Sequence, residues 1–196
     1  MSRADRIAAL KADPDFANLR RSLDVYYGDP AHEAAMAALY AQFLRPGALA
    51  FDIGAHVGDR IGAFRRLGAR VVALEPQPLC ARAIRSIYEG DADVTLVEAA
   101  CGARETTITL RVNSRNPTVS TASSGFIAAA HGAAGWEGQS WDMQVEARCT
   151  TLDTLIAAHG VPYCTWQFGR RARRSRVSSL RMSAMGFGAL RPVQRE

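Results

Sequence analysis

Long apolar segments and closely spaced cysteines are both missing from this sequence. No apolar run approaches the roughly 18–20 residues needed to span a bilayer, which argues against an integral membrane protein. Residues 1–6 are not followed by an apolar stretch long enough for a signal peptide. No two of the four cysteines have the spacing of a metal-binding or redox pair. We therefore expect a cytoplasmic protein that has no membrane partner and binds no metal.

Lysine is also scarce, and most of the chain has no excess of positive charge. Lys11 is the only lysine beside 23 arginines, a bias typical of a GC-rich genome. The net charge of +5 is misleading, because residues 170–196 contain eight arginines and one acid. Residues 1–169 carry 16 basic and 18 acidic side chains. The basic character therefore belongs to the tail, and the rest of the chain gives no electrostatic sign of a nucleic-acid partner.

A chain of 196 residues, 48% of them hydrophobic, is large enough for one domain with a packed core. Residues 1–46 are predicted to form an N-terminal helical segment, although residues 1–28 have only a weak pattern. Asp29 can cap a following helix, and Pro30 suits its first position. Tyr26 and Tyr27 precede this capped helix. They either close over a ligand or pack the helix against the domain.

Residues 47–162 are predicted to be the binding domain, and they begin by alternating short apolar runs with helical patterns. The predicted strands are residues 48–53, 70–74 and 94–99. The predicted helices between them are residues 59–67 and 78–89. Strand, helix, strand, helix and strand at this spacing predict an α/β fold, in which crossover helices connect parallel strands.

The pattern changes beyond residue 100. Residues 106–112 and 144–149 alternate between apolar and polar side chains, which predicts two half-exposed strands that pair with each other. The stretch between them, residues 113–142, is rich in Gly, Ser and Ala and is too long for an ordinary connection. It either binds a ligand or is disordered. Residues 151–159 are predicted to form a short helix, with Asp153 in its first turn.

The candidate binding site is the loop that follows the first predicted strand. Asp52, Gly54 and Gly58 form the pattern D-x-G-x-x-x-G. The glycines allow the backbone to approach a ligand closely, and the next helix directs its first amides at the loop. In folds of this type a carboxylate at the tip of the second strand holds the ribose hydroxyls. Glu75 has that position, 21 residues after Gly54.

The glycine spacing separates two classes of cofactor. Dinucleotide-binding proteins use G-x-G-x-x-G, in which a pyrophosphate lies against the start of the helix. The wider spacing in this chain suits a sulfonium amino acid. The Asp52 carboxylate would repel a phosphate, but it can bind near an ammonium group, directly or through water. A nicotinamide-dependent oxidoreductase is therefore the alternative that the spacing disfavours. A structural alternative is an α/β domain whose glycines only turn the chain.

These residues resemble the FkbM-type family of class I S-adenosylmethionine-dependent methyltransferases. The matching stretches are Phe-Asp-Ile-Gly-Ala-His-Val-Gly-Asp at 51–59 and Val-Ala-Leu-Glu-Pro-Gln-Pro at 72–78. Weaker matches follow at Ser120-Thr121 and at residues 150–155. The resemblance covers roughly residues 47–162. His56 stands where the family more often has asparagine. The fold that the resemblance implies is a Rossmann-like sheet with crossover helices.

The resemblance implies S-adenosylmethionine as methyl donor and O-methylation of a small molecule or sugar. It assigns five residues to the methionine side of the cofactor: Asp52, Gly54, Ala55, His56 and Gly58. Glu75 becomes the ribose ligand, with Gln77 nearby. Glu98 and Ala99 would lie near the adenine. A hydroxyl acceptor also needs a general base, for which the sequence offers no candidate.

The family pattern does not continue into residues 163–196, which are predicted to be an atypical arginine-rich tail. The family has an apolar strand there that ends in Lys-Ile-Asp-Val-Glu-Gly and lies beside the first strand. This chain has Cys-Thr-Trp-Gln-Phe-Gly and then an arginine run. We therefore expect a sheet that lacks its fourth strand and is incomplete at the C-terminus. We hypothesise a shifted reading frame, because DNA that encodes residues 167–172 can read Asn-Leu-Asp-Val-Glu one base later.

An incomplete sheet has two further consequences. The rival interpretation of the chain is a non-catalytic remnant that binds the cofactor weakly or not at all. An exposed sheet edge also predicts aggregation or a homo-oligomer. The arginine run has a charge suited to nucleic-acid phosphates, but it lacks interleaved aromatic residues and no nucleic-acid-binding module precedes it. A nucleic-acid partner is therefore not expected.

Overall fold

The structure is a computed structural model that describes residues 1–167, with side chains described for residues 1–163. The chain begins with three α-helices: α1 (Arg3–Ala12), α2 (Arg20–Tyr27) and α3 (Pro30–Tyr40). A 3₁₀ helix, Pro14–Leu19, lies between α1 and α2. The cap predicted for α3 is confirmed, because the Asp29 carboxylate accepts a hydrogen bond of 2.8 Å from the amide of Ala31.

A parallel sheet forms the centre of the described chain. Its first strands are β1 (Leu49–Ile53), β2 (Arg70–Leu74) and β3 (Val94–Val97), connected by α4 (Asp59–Arg66) and α5 (Pro78–Ile87). The strand order is β3-β2-β1, with β1 and β3 each paired in parallel with β2. Each of these elements ends within two residues of its predicted boundary. The predicted α/β fold with crossover helices is confirmed.

The expectation that the fourth strand is lost was wrong. A further strand, β7 (Cys164–Gln167), pairs in parallel with β1, with Phe51 opposite Thr165. It lies at the edge of the sheet where the family has its fourth strand. The absence of an acidic strand end does not exclude the strand, because strand pairing depends on extended backbone beside β1 and not on that motif.

The consequences drawn from a missing strand change accordingly. The remnant interpretation loses the feature on which it rested. The predicted aggregation or homo-oligomerisation loses part of its basis and stays a prediction, as does the division of the chain at residues 46 and 162. The arginine run and the proposed frame shift lie outside the described residues, apart from Gln167.

A second sheet contains β4 (Ala100–Gly102), β5 (Thr106–Val112) and β6 (Met143–Thr151). The predicted pairing is confirmed, since β5 and β6 are antiparallel. β4 pairs in parallel with the other end of β6. The helix α7 (Leu152–His159) follows, and the side chain of Thr151 caps it. Asp153 lies in the first turn of α7, as predicted.

The long connection, residues 113–142, has structure of its own. It contains a 3₁₀ helix, Pro117–Val119, and α6 (Ser124–Ala130). Phe126, Trp136 and Trp141 form an aromatic cluster with ring centroids 5.2–6.4 Å apart. The indole N–H of Trp141 donates to the carbonyl of Val119 at 3.0 Å. The two tryptophans therefore anchor the connection to itself.

The N-terminal helices share a core with the face of the sheet that α4 and α5 cover. Leu19 and Leu23 are fully buried and belong to the same hydrophobic cluster as Ile84 and Ile87. Leu155 of α7 packs on the opposite face of the sheet. Within the part of the chain that the structure describes, no helix has the length and apolar character needed to cross a membrane.

Candidate functional site

A cleft of about 200 Å³ opens at the carboxyl ends of β1 and β2. Ligands bind at this edge in open α/β sheets. The cleft is lined by the loop after β1 with the first turn of α4, the end of β2, the segment around β4 with Leu110 of β5, and residues 117–120 of the long connection. We call residues 117–120 the strap. The last turn of α2 contributes one more side chain, Tyr26.

The loop after β1, residues 54–58, has an unusual backbone, and we call it the glycine loop. Gly54, His56 and Gly58 all have a left-handed conformation, with φ values of +78°, +52° and +83°. A Cβ atom at position 58 would also lie 2.9 Å from Cε2 of Tyr88. Glycine at this position is thus required by both backbone conformation and space. α4 begins at the next residue without a side-chain cap. The Asp59 carboxylate instead accepts hydrogen bonds from the backbone amides of Asp59 and Arg60 in the first turn of α4.

Glu75 ties the end of β2 to this loop. Its carboxylate is 98% buried, and its two oxygens accept hydrogen bonds of 2.8 Å from the amides of His56 and Gln77. Burial raises the pKa of Glu75 to about 7, although both hydrogen bonds favour the ionised form. Each carboxylate oxygen can accept one further hydrogen bond. The site therefore contains a rigidly held acceptor for two hydroxyl donors.

His56 connects the loop to the rest of the cleft. Its Nδ1 lies 3.5 Å from the thiol of Cys80, and its Nε2 lies 3.3 Å from the hydroxyl of Thr118 in the strap. Burial, assisted by the charge of Arg60, lowers the pKa of His56 to about 4. The imidazole is consequently neutral near pH 7. It links the glycine loop to the strap as a neutral hydrogen-bonding group.

Asp52 lies beneath the loop and does not line the cleft. It is fully buried, and its Oδ1 accepts a hydrogen bond of 2.9 Å from Nε of Arg60. Nη2 of Arg60 also donates to the carbonyl of Gly54 at 3.1 Å. Burial raises the pKa of Asp52, against the opposing effect of Arg60. Among the described residues, Oδ2 of Asp52 has no hydrogen-bond partner. Asp52 therefore supports Arg60 and the loop from below the cleft, and its charge also helps to raise the pKa of Glu75.

The structure places five of the nine predicted site residues on the cleft surface: Gly54, His56, Glu75, Gln77 and Ala99. Ala55 and Gly58 belong to the loop but do not line the cleft, and Asp52 lies below it. Glu98 faces away, since its exposed carboxylate pairs with Arg85 of α5.

Sequence reasoning missed Arg60 and the strap residue Thr118. No periodicity or motif distinguishes either of them. The strap itself is held against β2, because the side-chain amide of Gln77 donates to the carbonyl of Pro117 at 3.2 Å. The strap therefore forms a wall of the cleft, and the ligand binding predicted for the long connection stays a prediction.

One family model and several solved structures are similar to this chain. The family model described as "Methyltransferase FkbM domain" matches residues 52–163, and the FkbM-type resemblance is thereby confirmed. No curated protein matches this chain. The chain is similar to a putative sarcosine dimethylglycine methyltransferase from Galdieria sulphuraria, at 18% identity and a TM-score of 0.31. This likeness covers 33% of this chain and 27% of the other.

Two more solved structures are similar over limited regions. Precorrin-6y C5,15-methyltransferase from Geobacter metallireducens is 29% identical with a TM-score of 0.31, over 35% of this chain and 38% of that one. A mutant of MtNAS in complex with S-adenosylmethionine is 22% identical with a TM-score of 0.31, over 50% and 39%. This chain thus spans 27–39% of these three proteins. The family model, in contrast, spans more than half of this chain and includes both the glycine loop and Glu75. The chain belongs to the FkbM methyltransferase family.

Proposed function

We propose that this chain transfers a methyl group from S-adenosylmethionine to a hydroxyl group of a small molecule or sugar. The observation that carries the proposal is the cleft between the glycine loop and Glu75, both of which lie within the FkbM-matched segment. Methyl transfer is an in-line displacement at carbon, so the protein acts chiefly by positioning the donor and the acceptor. The bound donor would supply the activated methyl group.

The chemistry of the cleft fits this donor. The Glu75 carboxylate, fixed by two backbone amides, would accept hydrogen bonds from the two ribose hydroxyls. Ala99 and the adjoining Ala100 are small side chains that leave room for a flat ring such as adenine. Gly54 and His56 are assigned to the methionine portion, where the left-handed backbone at Gly54 allows close approach. Ile53 adds apolar surface beside them.

His56 is assigned a positioning role in the reaction. A general base works best when its pKa is close to the working pH. The pKa of His56 is lowered to about 4, so its imidazole accepts a proton poorly near pH 7. It holds the glycine loop against the strap through the hydroxyl of Thr118. A base for a hydroxyl acceptor therefore has to come from another group.

Calorimetric titration of the full chain tests the donor assignment. We expect micromolar affinity for S-adenosylhomocysteine and no heat with NAD. Binding of NAD without binding of S-adenosylhomocysteine would overturn the proposal in favour of a nicotinamide-dependent enzyme. A chain that binds neither compound would support the non-catalytic remnant.

Transfer of labelled methyl groups from S-adenosylmethionine tests the reaction. We expect label in the hydroxyl groups of sugar or polyol acceptors, located by NMR of the product. Label found solely on nitrogen or carbon acceptors would refute O-methylation while leaving the methyltransferase assignment intact.

A further inference from the structure

One wall of the cleft comes from outside the segment that the family model matches. Tyr26, in the last turn of α2, lines the cleft and is partly buried. Its ring packs edge-on against the imidazole of His56, with centroids 5.7 Å apart and an angle of 74° between the planes. The family match begins only at residue 52. The N-terminal helices therefore build part of the site.

Two tyrosine hydroxyls in contact with each other fix α2 relative to the glycine loop. The hydroxyl of Tyr27 donates to the carbonyl of Val57 at 2.8 Å and lies 3.4 Å from the hydroxyl of Tyr88. Tyr88 in turn donates to the carbonyl of Gly58 at 2.6 Å. One turn earlier in α2, Leu23 is completely buried in the shared core. These contacts hold Tyr26, the neighbour of Tyr27, at the mouth of the cleft.

The surroundings of Tyr26 define what it offers a ligand. Burial and the nearby carboxylate of Asp59 raise the pKa of its phenol, which is therefore neutral over the working range. Its hydroxyl interacts with the side chain of Thr118, so α2 and the strap meet beside His56. A neutral phenol ring presents a large apolar surface at little conformational cost. Such a surface suits packing against a ligand better than proton transfer.

We propose that Tyr26 is a donor-binding residue whose ring packs against the methionine portion of S-adenosylmethionine. This inference rests on the proposed function, and it adds a residue that the family match does not contain. The position follows from its neighbours. Tyr26 contacts His56 in the glycine loop, whereas the ribose is assigned to Glu75 and the adenine to the wall at Ala99. A domain cut at the start of the family match would lack this wall.

Two probes of different length test the position of the ring. S-adenosylhomocysteine carries the amino-acid tail, and 5′-methylthioadenosine lacks it. For Tyr26→Ala we expect about tenfold weaker binding of S-adenosylhomocysteine, since one aromatic contact is lost. Its affinity for 5′-methylthioadenosine should remain within twofold of wild type. Tyr26→Phe, which keeps the ring, should bind both probes as wild type does.

Matched variants separate this role from a structural one. Val25→Ala changes the preceding residue of α2, which is 58% exposed, and should leave both affinities unchanged. Tyr26→Leu keeps most of the buried volume and should show the same tenfold loss, so it tests the inference if Tyr26→Ala does not fold. Thermal melts without ligand verify that each variant is folded.

The outcomes distinguish this inference from the proposed function. Wild-type affinity of Tyr26→Leu for S-adenosylhomocysteine would overturn the role of Tyr26 and leave the function standing. Equal losses for both probes would place the ring away from the methionine end and would also overturn it. A wild-type chain that binds neither probe would overturn the proposed function, and the role of Tyr26 with it.

Discussion

Replacement of His56 by asparagine should change the way in which the stability of this protein depends on pH. The imidazole is 91% buried and contacts Cys80 and Thr118. Asparagine tolerates the left-handed backbone at this position, where φ is +52°, so the loop should keep its shape. It has no titratable group. The substitution therefore removes one buried titration at a modest cost in packing.

The sign and size of the effect follow from the pKa of His56, which is lowered from 6.5 to about 4 in the folded chain. A lowered pKa means that the unfolded chain binds the proton more tightly. The folded state with its neutral His56 therefore has its full stability above pH 6.5 and loses stability as the pH falls towards 4. Between pH 7.5 and 5, the wild type should lose about 2 kcal/mol that His56→Asn does not lose. If the lost packing costs about 1 kcal/mol at every pH, the two stability curves should cross near pH 6.

Urea unfolding at several pH values between 7.5 and 5 measures this difference directly. The quantity of interest is the free energy of unfolding of wild type minus that of His56→Asn. The other titrating groups occur in both proteins, so most of their contributions cancel. His131→Asn is the matched control, because the imidazole of His131 is already exposed in the folded chain. Parallel curves for wild type and His56→Asn would refute the claim that this histidine is buried in its neutral form.

Three further predictions concern the loop, the shared core and the ribose ligand. Gly58→Ala should destabilise the protein by about 2–3 kcal/mol, because it adds a steric clash to the left-handed backbone strain. Gly90→Ala, with φ of +79° and nothing within 4 Å of the added carbon, should show only the strain of about 1 kcal/mol; equal thermal shifts for the two variants would contradict this reasoning. Leu19→Ala should cost about 2–5 kcal/mol in chemical unfolding, since the side chain is fully buried between the N-terminal helices and the domain. A loss below 1 kcal/mol would mean that these helices do not share the core. Glu75→Gln should weaken calorimetric binding of S-adenosylhomocysteine by at least about tenfold, since an amide presents one donor where the ribose needs acceptors. Glu89→Gln, a change at an exposed carboxylate, should leave that binding as it is, and a tight Glu75→Gln complex would remove the ribose assignment.

The local order of elements was predictable from the sequence. Each parallel strand of the first half is a short apolar run, and each crossover helix has an apolar face and a clear stop signal. The loop at Gly54 and Gly58 and the position of Glu75 follow from spacing along one βαβ unit, because such a unit fixes which residues emerge at its carboxyl edge. The antiparallel pairing of β5 with β6 followed in the same way from two alternating segments.

The strand β7 was not predictable from the sequence. Its residues, Cys164–Gln167, carry no pattern that distinguishes them, and the expected acidic motif is absent. Pairing with β1 is a long-range backbone interaction, so it depends on what lies beside the segment in space. The orientation of Glu98 is a similar case. Its place in the chain suggested the adenine end, but its carboxylate extends towards Arg85 of the neighbouring helix.

The sequence by itself determined the family, the glycine loop and the carboxylate of Glu75, because these depend on residue type at fixed spacing. The tertiary structure alone decided that Asp52 is buried against Arg60 and that Tyr26 forms a wall of the cleft. Arg60 reaches Asp52 from the helix that packs on β1. Tyr26 reaches the glycine loop, 30 residues away along the chain, only after α2 has docked on the shared core. No local pattern encodes these contacts, since they arise from the packing of whole helices against the sheet.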